Sequence, residues 1–529
     1  MSRSDGVIKS KNAFDLMEIL SHMTRKLKTI RNLSINLGLI VLFLLFGNVS
    51  HTGAQQESFW SHQEKIPNYE IYNNEQPPYL VADQNHTVHA FNSQFLGADS
   101  VDAQKAIFYR QWTLENGWSD PNNILFDNSD SSYDLLGVTS SQDGIVHLIF
   151  QEKSNDIFYT NAYLANANTT QAWSTPLSIA SQSLHIRTGF ANAAAIATNE
   201  TGSRIFVIYS GFQYGRGLYF TSSSDQGKNW SEPSVIYLAG DETLTITDPK
   251  LYMGQSGVLH AVWSAFNIDG SGGPGYYSNF NLDENSWSVP TELDTSGIRT
   301  PSVIEYKGDV FVAYHHRNEN TYWWRQSRDG GKNWTDPSPF SIRHVGTNGG
   351  VSFVIDSNAV LHAFFGERID DDNHGIWHCI WLGKNWTYPE AVVKGPGTGD
   401  VDGGNNFDPT YARAVVSNGS VILVSWGTDG AAGQTQAWYS YKTLDAPELP
   451  SVSLPIPPDL PNGISTAVVM PQFTNTVPTE VLPDKLKQYD DSSNIMRNPQ
   501  VPIFFGILPV ILLLLGIVVL FIFFPKVDK

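Results

Sequence analysis

Tryptophan followed by serine or threonine recurs along the chain at nearly regular spacing, and this repeat constrains the fold more than any other feature. The seven copies, 47 to 58 residues apart, are Trp60, Trp118, Trp173, Trp230, Trp287, Trp334 and Trp386. An apolar run precedes each of the last six, for example IVHLIF at 145–150 and VLHAVW at 258–263. A seventh run, SVILVSW at 420–426, has no Trp-Ser after it. A period of about fifty residues indicates a repeat architecture.

Each unit contains four short stretches with strand character: a Pro-rich leading stretch, the apolar run, a Tyr-rich stretch such as GLYFTS, and a stretch that opens with the tryptophan. Four antiparallel strands repeated in series predict an all-β fold, a β-propeller of four-stranded blades. The last unit lacks its fourth strand, and the chain begins with an unmatched one, FWSHQEKIP at 59–67. If the two pair, the ring closes without a free edge. This count predicts seven blades, or six if the first unit is an irregular insertion.

The two ends of the chain predict export and a membrane anchor. Basic residues from Arg25 to Arg31 precede an apolar run at 37–46, which is typical of a signal peptide. Near the other end, the 22 residues 503–524 carry no charge and are long enough to cross a bilayer. The predicted organisation is a basic segment with signal peptide (1–54), a propeller (57–445), a Pro/Ser/Thr-rich linker (446–500), a transmembrane helix (501–524) and a cytoplasmic tail (525–529).

Composition restricts the stabilising chemistry and the partners. The single cysteine, Cys379, excludes an intramolecular disulfide, so a large core must supply the stability. A formal net charge of −19 argues against nucleic acid, because phosphate binding needs a surplus of Lys and Arg. An anionic ligand would therefore need a local cluster of arginines. We expect a monomer.

Two stretches near the middle of the chain are almost identical, SSSDQGKNW at 222–230 and QSRDGGKNW at 326–334. Both match the Asp-box, S-x-D-x-G-x-x-W, and through it the chain resembles the sialidase (neuraminidase) superfamily of BNR-repeat propellers. The residues themselves indicate a structural turn, in which the aspartate accepts amide hydrogen bonds and the tryptophan packs on the sheet. Where that family carries an early Arg-Ile-Pro segment, this chain has Lys65-Ile66-Pro67.

The resemblance implies an exo-alpha-sialidase-like glycoside hydrolase, with arginines on the substrate carboxylate, a tyrosine nucleophile, a glutamate and an acidic aspartate. Propeller topology brings the loops that lead into the first strand and the loops between the second and third strands to one face. Guanidinium groups there can bind a carboxylate in a bidentate way. The candidate substrate-binding residues are Arg187, Arg299, Arg413 and Arg343. The candidate catalytic residues are Tyr322 or Tyr214 as nucleophile, Glu367 as base and Asp134 as acid. Each of them could instead form an ordinary loop ion pair or hydrogen bond.

Other polar residues favour structural roles. His89, His147, His260 and His362 occupy matching positions in the apolar runs, which indicates core or blade contacts rather than metal ligands. No cofactor is predicted. Two acidic loops, one with Asp400, Asp402, Asn405 and Asp408 and the other with residues 370–372, are weak candidates for calcium or are simply solvated.

Two functions follow from these observations. The first is a single-pass cell-surface protein whose extracellular, sialidase-like propeller recognises terminal sugars of the sialic acid type on glycans and hydrolyses them. The alternative is a non-catalytic propeller that binds glycans or proteins. The two Asp-box matches and the arginines on one face favour the first function. Lys65, which stands where the family has arginine, and the predicted seven blades favour the second.

Overall fold

The structure is a computed structural model that describes residues 60–71, 77–96, 104–125, 132–152, 154–184, 193–241, 243–267, 272–316, 319, 321–340, 346–370, 373–395, 409–428 and 435–455. These residues are all-β, with two 3₁₀ turns at Leu164–Asn166 and Thr170–Ala172. Among them, no helix is long and apolar enough to cross a bilayer. The predicted signal peptide, linker residues 456–500 and membrane span lie outside the described residues.

The strands fall into seven consecutive units, numbered from the first complete one. Unit 1 contains β2 (Tyr79–Ala82), β3 (Val88–Phe95), β4 (Lys105–Thr113), β5 (Gly117–Trp118) and β6 (Asn122–Leu125). Unit 2 contains β7 (Asp134–Ser140), β8 (Ile145–Gln151), β9 (Ile157–Tyr163) and β10 (Leu177–Ala180). Unit 3 contains β11 (Ala194–Thr198), β12 (Ile205–Gly211), β13 (Gly217–Ser223) and β14 (Ser234–Leu238). Units 4 and 5 contain β15 (Leu244–Met253), β16 (Leu259–Asn267), β17 (Gly273–Asn281), β18 (Ser286–Trp287), β19 (Thr291–Tyr306), β20 (Asp309–His316), β21 (Thr321–Ser327) and β22 (Ser338–Pro339). Units 6 and 7 contain β23 (Gly346–Ile355), β24 (Leu361–Arg368), β25 (His374–Ile380) and β26 (Glu390–Gly395); and β27 (Pro409–Ser417), β28 (Val421–Thr428), β29 (Thr435–Thr443) and β1 (Glu64–Ile71).

All strand pairs in these sheets are antiparallel. Units 2, 3, 6 and 7 are four-stranded sheets, and unit 1 has five strands. Units 4 and 5 share one larger sheet, because the long strand β19 pairs with β17 through its first residues and with β20 through its last. The predicted all-β class and the four-stranded antiparallel sheets are confirmed.

The first strand of the chain completes the last sheet. β1 pairs with β29, with Glu64 opposite Tyr439 and Lys65 opposite Trp438. Ser61 adds a backbone hydrogen bond of 2.8 Å from its amide to the Tyr441 carbonyl. The predicted pairing of the unmatched strand with the last unit is therefore confirmed, and regular strand structure begins at Glu64 rather than at residue 59.

The first strands of successive units lie against one another. β2 contacts β7, β7 contacts β11, and the series continues through β15, β19 and β23 to β27, which contacts β2 again. The contacts between units thus return to their starting point.

Each recurring tryptophan packs against an aromatic ring of the preceding unit. Ring centroids lie 5.0 to 6.3 Å apart in the pairs Trp60–Phe364, Trp118–Tyr439, Trp173–Phe91, Trp230–Tyr159, Trp287–Phe220, Trp334–Tyr277 and Trp386–Phe311. Trp118 of unit 1 packs on Tyr439 of unit 7, so this series of contacts also includes the junction between the two ends of the domain. The repeat in the sequence is therefore an interface between neighbouring sheets.

The two S-x-D-x-G-x-x-W turns have the same geometry. In the first, the Asp225 carboxylate accepts hydrogen bonds from the Asn229 amide nitrogen at 2.9 Å and from the Asn229 side chain at 2.6 Å. The Trp230 indole donates to the Gly227 carbonyl at 3.1 Å. The turn at 327–334 repeats these three hydrogen bonds at the same lengths. The hydrogen bonds thus hold each tryptophan in place for its contact with the preceding unit.

The four repeated histidines are buried, with 0 to 2 % of each exposed, which confirms their predicted core location. The Nδ1 atom of each lies 2.7 to 2.9 Å from a partner on the next strand, in the pairs His89–Tyr109, His147–Tyr159, His260–Tyr277 and His362–His378. The Nε2 atom of His260 lies 3.1 Å from Glu305 of the following unit. These histidines link strands within a unit and, at Glu305, two units.

Residues 445–455, which we call the C-terminal strap, run over the turns of four units. The sequence assigns 446–455 to the linker. In the structure, Asn358 donates to the Asp445 carbonyl at 2.8 Å, the Leu449 amide donates to Asn418 at 2.7 Å, and the Val452 amide donates to Gln84 at 2.8 Å. Leu454 then packs on the core shared by units 1 and 2. The strap therefore spans units 6, 7, 1 and 2, across the junction that β1 completes.

Candidate functional site

Four neighbouring first strands are interrupted at the same place. β15, β19, β23 and β27 each contain a register shift near their middle. One residue in each irregular segment has a positive φ: Asp248 at 52°, Thr300 at 44°, Gly349 at 88° and Tyr411 at 51°. Side chains other than glycine disfavour this conformation, by roughly 1–3 kcal/mol each, and such strain concentrates at functional sites. Bulges also redirect side chains out of the regular alternation.

These four strands surround a cavity of about 300 Å³. Its polar lining comes from β15, β19, β23 and β27 and includes Asp248, Lys250, Tyr252, Thr300, Ser302, Ser352, Tyr411 and Arg413. Three of the four residues with a positive φ line it, and two of these, Asp248 and Tyr411, carry ionisable side chains. The irregular backbone thus directs these ionisable side chains towards the cavity, whereas regular strands would direct them elsewhere.

Two guanidinium groups are fixed by aromatic rings beside this cavity. The central carbon of Arg413 lies 3.6 Å from the ring centroid of Tyr79, and its Nη1 donates to the Pro77 carbonyl at 2.7 Å. The central carbon of Arg299 lies 4.4 Å from the ring centroid of Phe266. Stacking orients the planar guanidinium, whose edge carries the N–H donors.

Tyr411 lies within the electrostatic reach of both arginines. Burial raises the pKa of Tyr411 well above its usual value, and the charge of Asp248 adds to this effect, whereas Arg299 and Arg413 act in the opposite sense. Its hydroxyl is consequently protonated at neutral pH and can donate a hydrogen bond to a ligand.

Lys250 adds a third basic group to the site. Burial, and to a smaller extent repulsion from Arg413, lower the pKa of Lys250 to about 8, whereas Asp248 acts in the opposite sense. The ammonium is therefore mostly protonated at pH 7. Among the described residues that line the cavity, Asp248 is the one acidic group, so the site is locally positive within a strongly negative chain.

Tyr322 and Glu367, predicted as catalytic residues, lie behind this cavity. The buried Tyr322 donates its hydroxyl hydrogen bond to the Gly349 carbonyl at 2.9 Å, and the Thr300 hydroxyl donates to the same carbonyl at 2.8 Å. Glu367 is 2 % exposed and stands two residues beyond Phe365, whose ring packs 5.3 Å from that of Tyr322. Burial raises the pKa of the Cys379 thiol, and the charge of Glu367 contributes to the rise. In this arrangement Tyr322 supports the irregular segment around Gly349.

The remaining predicted residues are placed differently. Asp134, at the start of β7, forms an ion pair of 2.9 Å with Lys105. Tyr214 lies on the loop between β12 and β13 and is 63 % exposed. Neither residue lines the cavity. Arg187 and Arg343 lie outside the described residues, as do the acidic residues of the loop at 400–408 and Asp371 and Asp372. The structure thus brings together Arg299, Arg413 and Tyr322, around a tyrosine that was not predicted.

Sequence reasoning missed Lys250, Thr300 and Tyr411. One signal was available: Asp248-Pro249 and Thr300-Pro301 place proline inside strands, and proline within a sheet is typical of a bulge. That pattern indicates two of the four irregular segments. Tyr411 and Lys250 carry no such signal, because their exposure to the cavity depends on the bulge itself.

Comparison with known proteins finds only distant similarity. No family model and no curated protein matches the chain. Among solved structures, a protein of unknown function from Dyadobacter fermentans DSM 18053 is 16% identical, with 72% of this chain and 99% of that chain covered and a TM-score of 0.42. A Trypanosoma rangeli sialidase in complex with sialic acid is 10% identical (72% and 59% covered, TM-score 0.40). An ulvan lyase of polysaccharide lyase family PL25 is 11% identical (70% and 95% covered, TM-score 0.44). No role of any residue in this chain follows from these likenesses.

Proposed function

We propose that the domain is a sialidase-like β-propeller of seven blades whose cavity binds a carboxylate-bearing sugar at the end of a glycan. The seven units, the seven tryptophan contacts and the return of the first-strand contacts to β2 support the propeller. The observation that carries the function is that Lys250, Tyr411 and Arg413 line one cavity, with Arg299 close enough to act on the charge of Tyr411.

The chemistry of the site suits an acidic sugar. A guanidinium held by stacking can grip a carboxylate with two parallel hydrogen bonds, and little freedom remains to be lost on binding. The protonated Tyr411 hydroxyl and the Thr300 and Ser302 hydroxyls offer partners for sugar hydroxyls. The lining holds two basic groups, Lys250 and Arg413, and one acidic group, Asp248, so the site should favour an acidic sugar over a neutral one.

Hydrolysis is a second candidate function. A tyrosine nucleophile is an accepted variant among glycosidases, and Tyr411 shares the cavity with Arg413 and Asp248. The raised pKa of Tyr411 opposes formation of the phenolate, so recognition without turnover is the function that the geometry supports best. The predicted nucleophile Tyr322, with its hydroxyl engaged by Gly349, is the weaker choice.

The sequence also supports a location for this activity. An exported propeller followed by a Pro-rich linker and an uncharged span at 501–524 would stand on the outer face of a cell, as a monomer facing glycans. Labelling of intact cells with an antibody to the propeller tests this proposal; labelling only after permeabilisation would contradict it.

The binding proposal is tested with the full-length chain in detergent. Titration calorimetry should show binding of sialosides or uronates and weak or absent binding of neutral glycans. Arg413→Gln should weaken binding about 10- to 100-fold, because hydrogen bonds to charged groups contribute about 1.5–3 kcal/mol. Arg299→Gln should act in the same direction.

The matched control is Arg328→Gln, which removes an exposed arginine from the turn at 327–334. Its affinity should stay within about twofold of the unaltered protein. Equal affinity for neutral and acidic sugars, or an unchanged affinity in both cavity variants, would refute carboxylate recognition.

Turnover separates the two functions. Fluorogenic sialosides should be tested with the unaltered chain, Tyr411→Phe and Glu367→Gln. Cleavage that disappears in Tyr411→Phe while binding is retained would establish hydrolysis. Binding without cleavage in the unaltered protein would establish a lectin-like role.

A further inference from the structure

An exposed aromatic surface lies on the loop between β12 and β13. Phe212 is 40 % exposed and Tyr214 is 63 % exposed, and Leu238 on the neighbouring strand β14 is 46 % exposed. We call Phe212, Tyr214 and Leu238 the aromatic platform. Large apolar side chains grouped at the surface are typical of binding sites.

The loop that carries the platform has a fixed conformation. The Tyr219 hydroxyl accepts a hydrogen bond from the Tyr214 amide at 2.8 Å and donates one to the Gly215 carbonyl at 2.5 Å. The Phe212 amide donates to the Gln182 carbonyl at 3.0 Å. The exposed rings are therefore presented by a bonded turn, so binding to them would lose little backbone freedom.

The platform is connected to the strand β15, which also lines the cavity. Arg216, at the end of the loop, lies over the Phe212 ring at 5.3 Å, and its Nη1 donates to the Thr245 hydroxyl at 3.4 Å. Thr245 is on β15, three residues before Asp248, which is about 10 Å at the rise of a strand. A ligand that fills the cavity at Asp248 and Lys250 can thus extend to the platform if it is a short chain of sugar units.

The chemistry of the platform fits a sugar ring better than a protein. Sugars present a flat face of C–H groups, which packs on an aromatic ring, and hydroxyls at the edge, which pair with donors such as Arg216 and Gln213. A stable protein interface would need about 1,000 Å² or more in total, far beyond two rings and a leucine.

We infer that the aromatic platform of Phe212 and Tyr214 holds a second sugar unit, so that the ligand is an oligosaccharide whose terminal acidic sugar occupies the cavity. This inference rests on the proposed function of the cavity. It also gives Tyr214 a role in binding rather than as a nucleophile.

The test compares affinities for a single sugar and for the same sugar on a chain, using the full-length protein in detergent. The probes are N-acetylneuraminic acid with 3′-sialyllactose, and glucuronic acid with an oligoglucuronate. The oligosaccharide of the pair that binds should bind roughly tenfold more tightly than its monosaccharide. Phe212→Ala and Tyr214→Ala should each remove most of that gain, and Phe212→Ala should leave the monosaccharide affinity unchanged.

Tyr388→Ala is the matched control, because Tyr388 is 74 % exposed and precedes β26 of another unit. It should retain the full gain, and Tyr214→Phe should retain it as well, since the ring remains. Equal affinities for monosaccharide and oligosaccharide, insensitive to all of these variants, would overturn the platform and leave the cavity proposal standing. Absence of binding by both members of both pairs would overturn both proposals.

Discussion

At the scale of single residues, a glycine in each S-x-D-x-G-x-x-W turn serves two separate purposes. Gly331 has a φ of +90°, in the left-handed region, and a Cβ at this position would overlap the ring of Tyr277. Its neighbour Gly330 has a φ of +72°, but a Cβ there meets no atom within 4 Å. The two glycines therefore allow backbone strain and packing to be measured separately.

We expect Gly331→Ala to destabilise the protein more than Gly330→Ala. Both changes should cost about 1–2 kcal/mol, because alanine disfavours the left-handed conformation. Gly331→Ala should add about 1–3 kcal/mol for forcing the Tyr277 ring aside. Urea unfolding followed by tryptophan fluorescence measures both values. Equal losses in the two variants would mean that the close contact with the preceding unit contributes nothing.

Buried neutral histidines should make the protein sensitive to mild acid. Burial lowers the pKa of His147 to about 4. Burial, and to a smaller extent repulsion from His378, lower the pKa of His362 to about 4 as well. The ordinary histidine pKa is about 6.5, so between pH 6.5 and 4 the unfolded chain binds more protons than the folded one. As the pH falls through this window, each such histidine should lower the free energy of unfolding by about 1.4 kcal/mol per pH unit. Above pH 6.5 it should have no effect.

His147→Gln tests this expectation, because it removes one of these groups. The slope of unfolding free energy against pH, measured in urea between pH 7 and 4.5, should become shallower in this variant. His62→Gln, at an exposed position, should keep the original slope. If His147→Gln also keeps it, His147 is already protonated in the folded state.

The histidines also show how far single residues could be predicted. Their recurrence at one position of each apolar run indicated the core, and all four are buried. Their partners, three tyrosines and His378, could not be paired with them from the sequence, because the arrangement of two neighbouring strands decides which side chains meet. For example, His260 stands opposite Asn279, and yet its Nδ1 bonds to Tyr277.

At the scale of structural elements, the C-terminal strap crosses four units without forming a strand. His86 contributes a hydrogen bond of 2.8 Å to the Leu449 carbonyl, and the Ser451 hydroxyl donates to Asn85 at 2.8 Å. Composition predicted an extended, Pro-rich linker from residue 446 onwards. Composition could not reveal that the segment lies on the domain, because exposed backbone groups of neighbouring turns supply its hydrogen bonds.

Two truncations measure the contribution of the strap. A chain that ends after Leu444 should be roughly 1–3 kcal/mol less stable than one that ends after Pro455, since several backbone hydrogen bonds of about 1 kcal/mol each are offset in part by ordering entropy. Urea midpoints of the two truncated proteins give the difference. Identical midpoints would mean that the strap is held by the domain without stabilising it.

The strand β19 shows a second limit of prediction at this scale. Apolar runs and turn signals indicated most strands, and the four-stranded sheets followed from them. Units 4 and 5 were not expected to share a sheet, however, and a single strand of 16 residues pairs with both. Continuity of that kind depends on how one strand bends between two sheets.

At the scale of the whole molecule, β1 protects the last sheet. Deleting residues 60–71 would leave the outer edge of β29 without a partner and would remove Trp60 from its contact with Phe364. Free edges pair with other chains, so we expect this variant to aggregate. Light scattering after purification measures the effect. A monomeric, fully folded variant would show that β1 is dispensable.

The candidate site was predicted in part at this scale. Topology sent arginines to one face, and Arg299 and Arg413 do meet beside one cavity. Asp134 and Tyr214 were expected at the same place but do not line it, because convergence on a face does not specify depth. The bulges that turn Asp248 and Tyr411 towards the cavity are local departures from the repeat. A pattern common to all units therefore could not predict them.

The pairing of β1 with β29 also sets the timing of biosynthesis. Glu64 and its partner Tyr439 are 375 residues apart, and at about 5–20 residues per second the partner emerges roughly 20–75 s after the first strand. Hairpins within a unit form in microseconds, so six units can fold before β29 is available to pair with β1. The first strand to be synthesised is thus among the last to be placed, and a tag or a binding protein that captures it during translation would trap an open, incomplete chain.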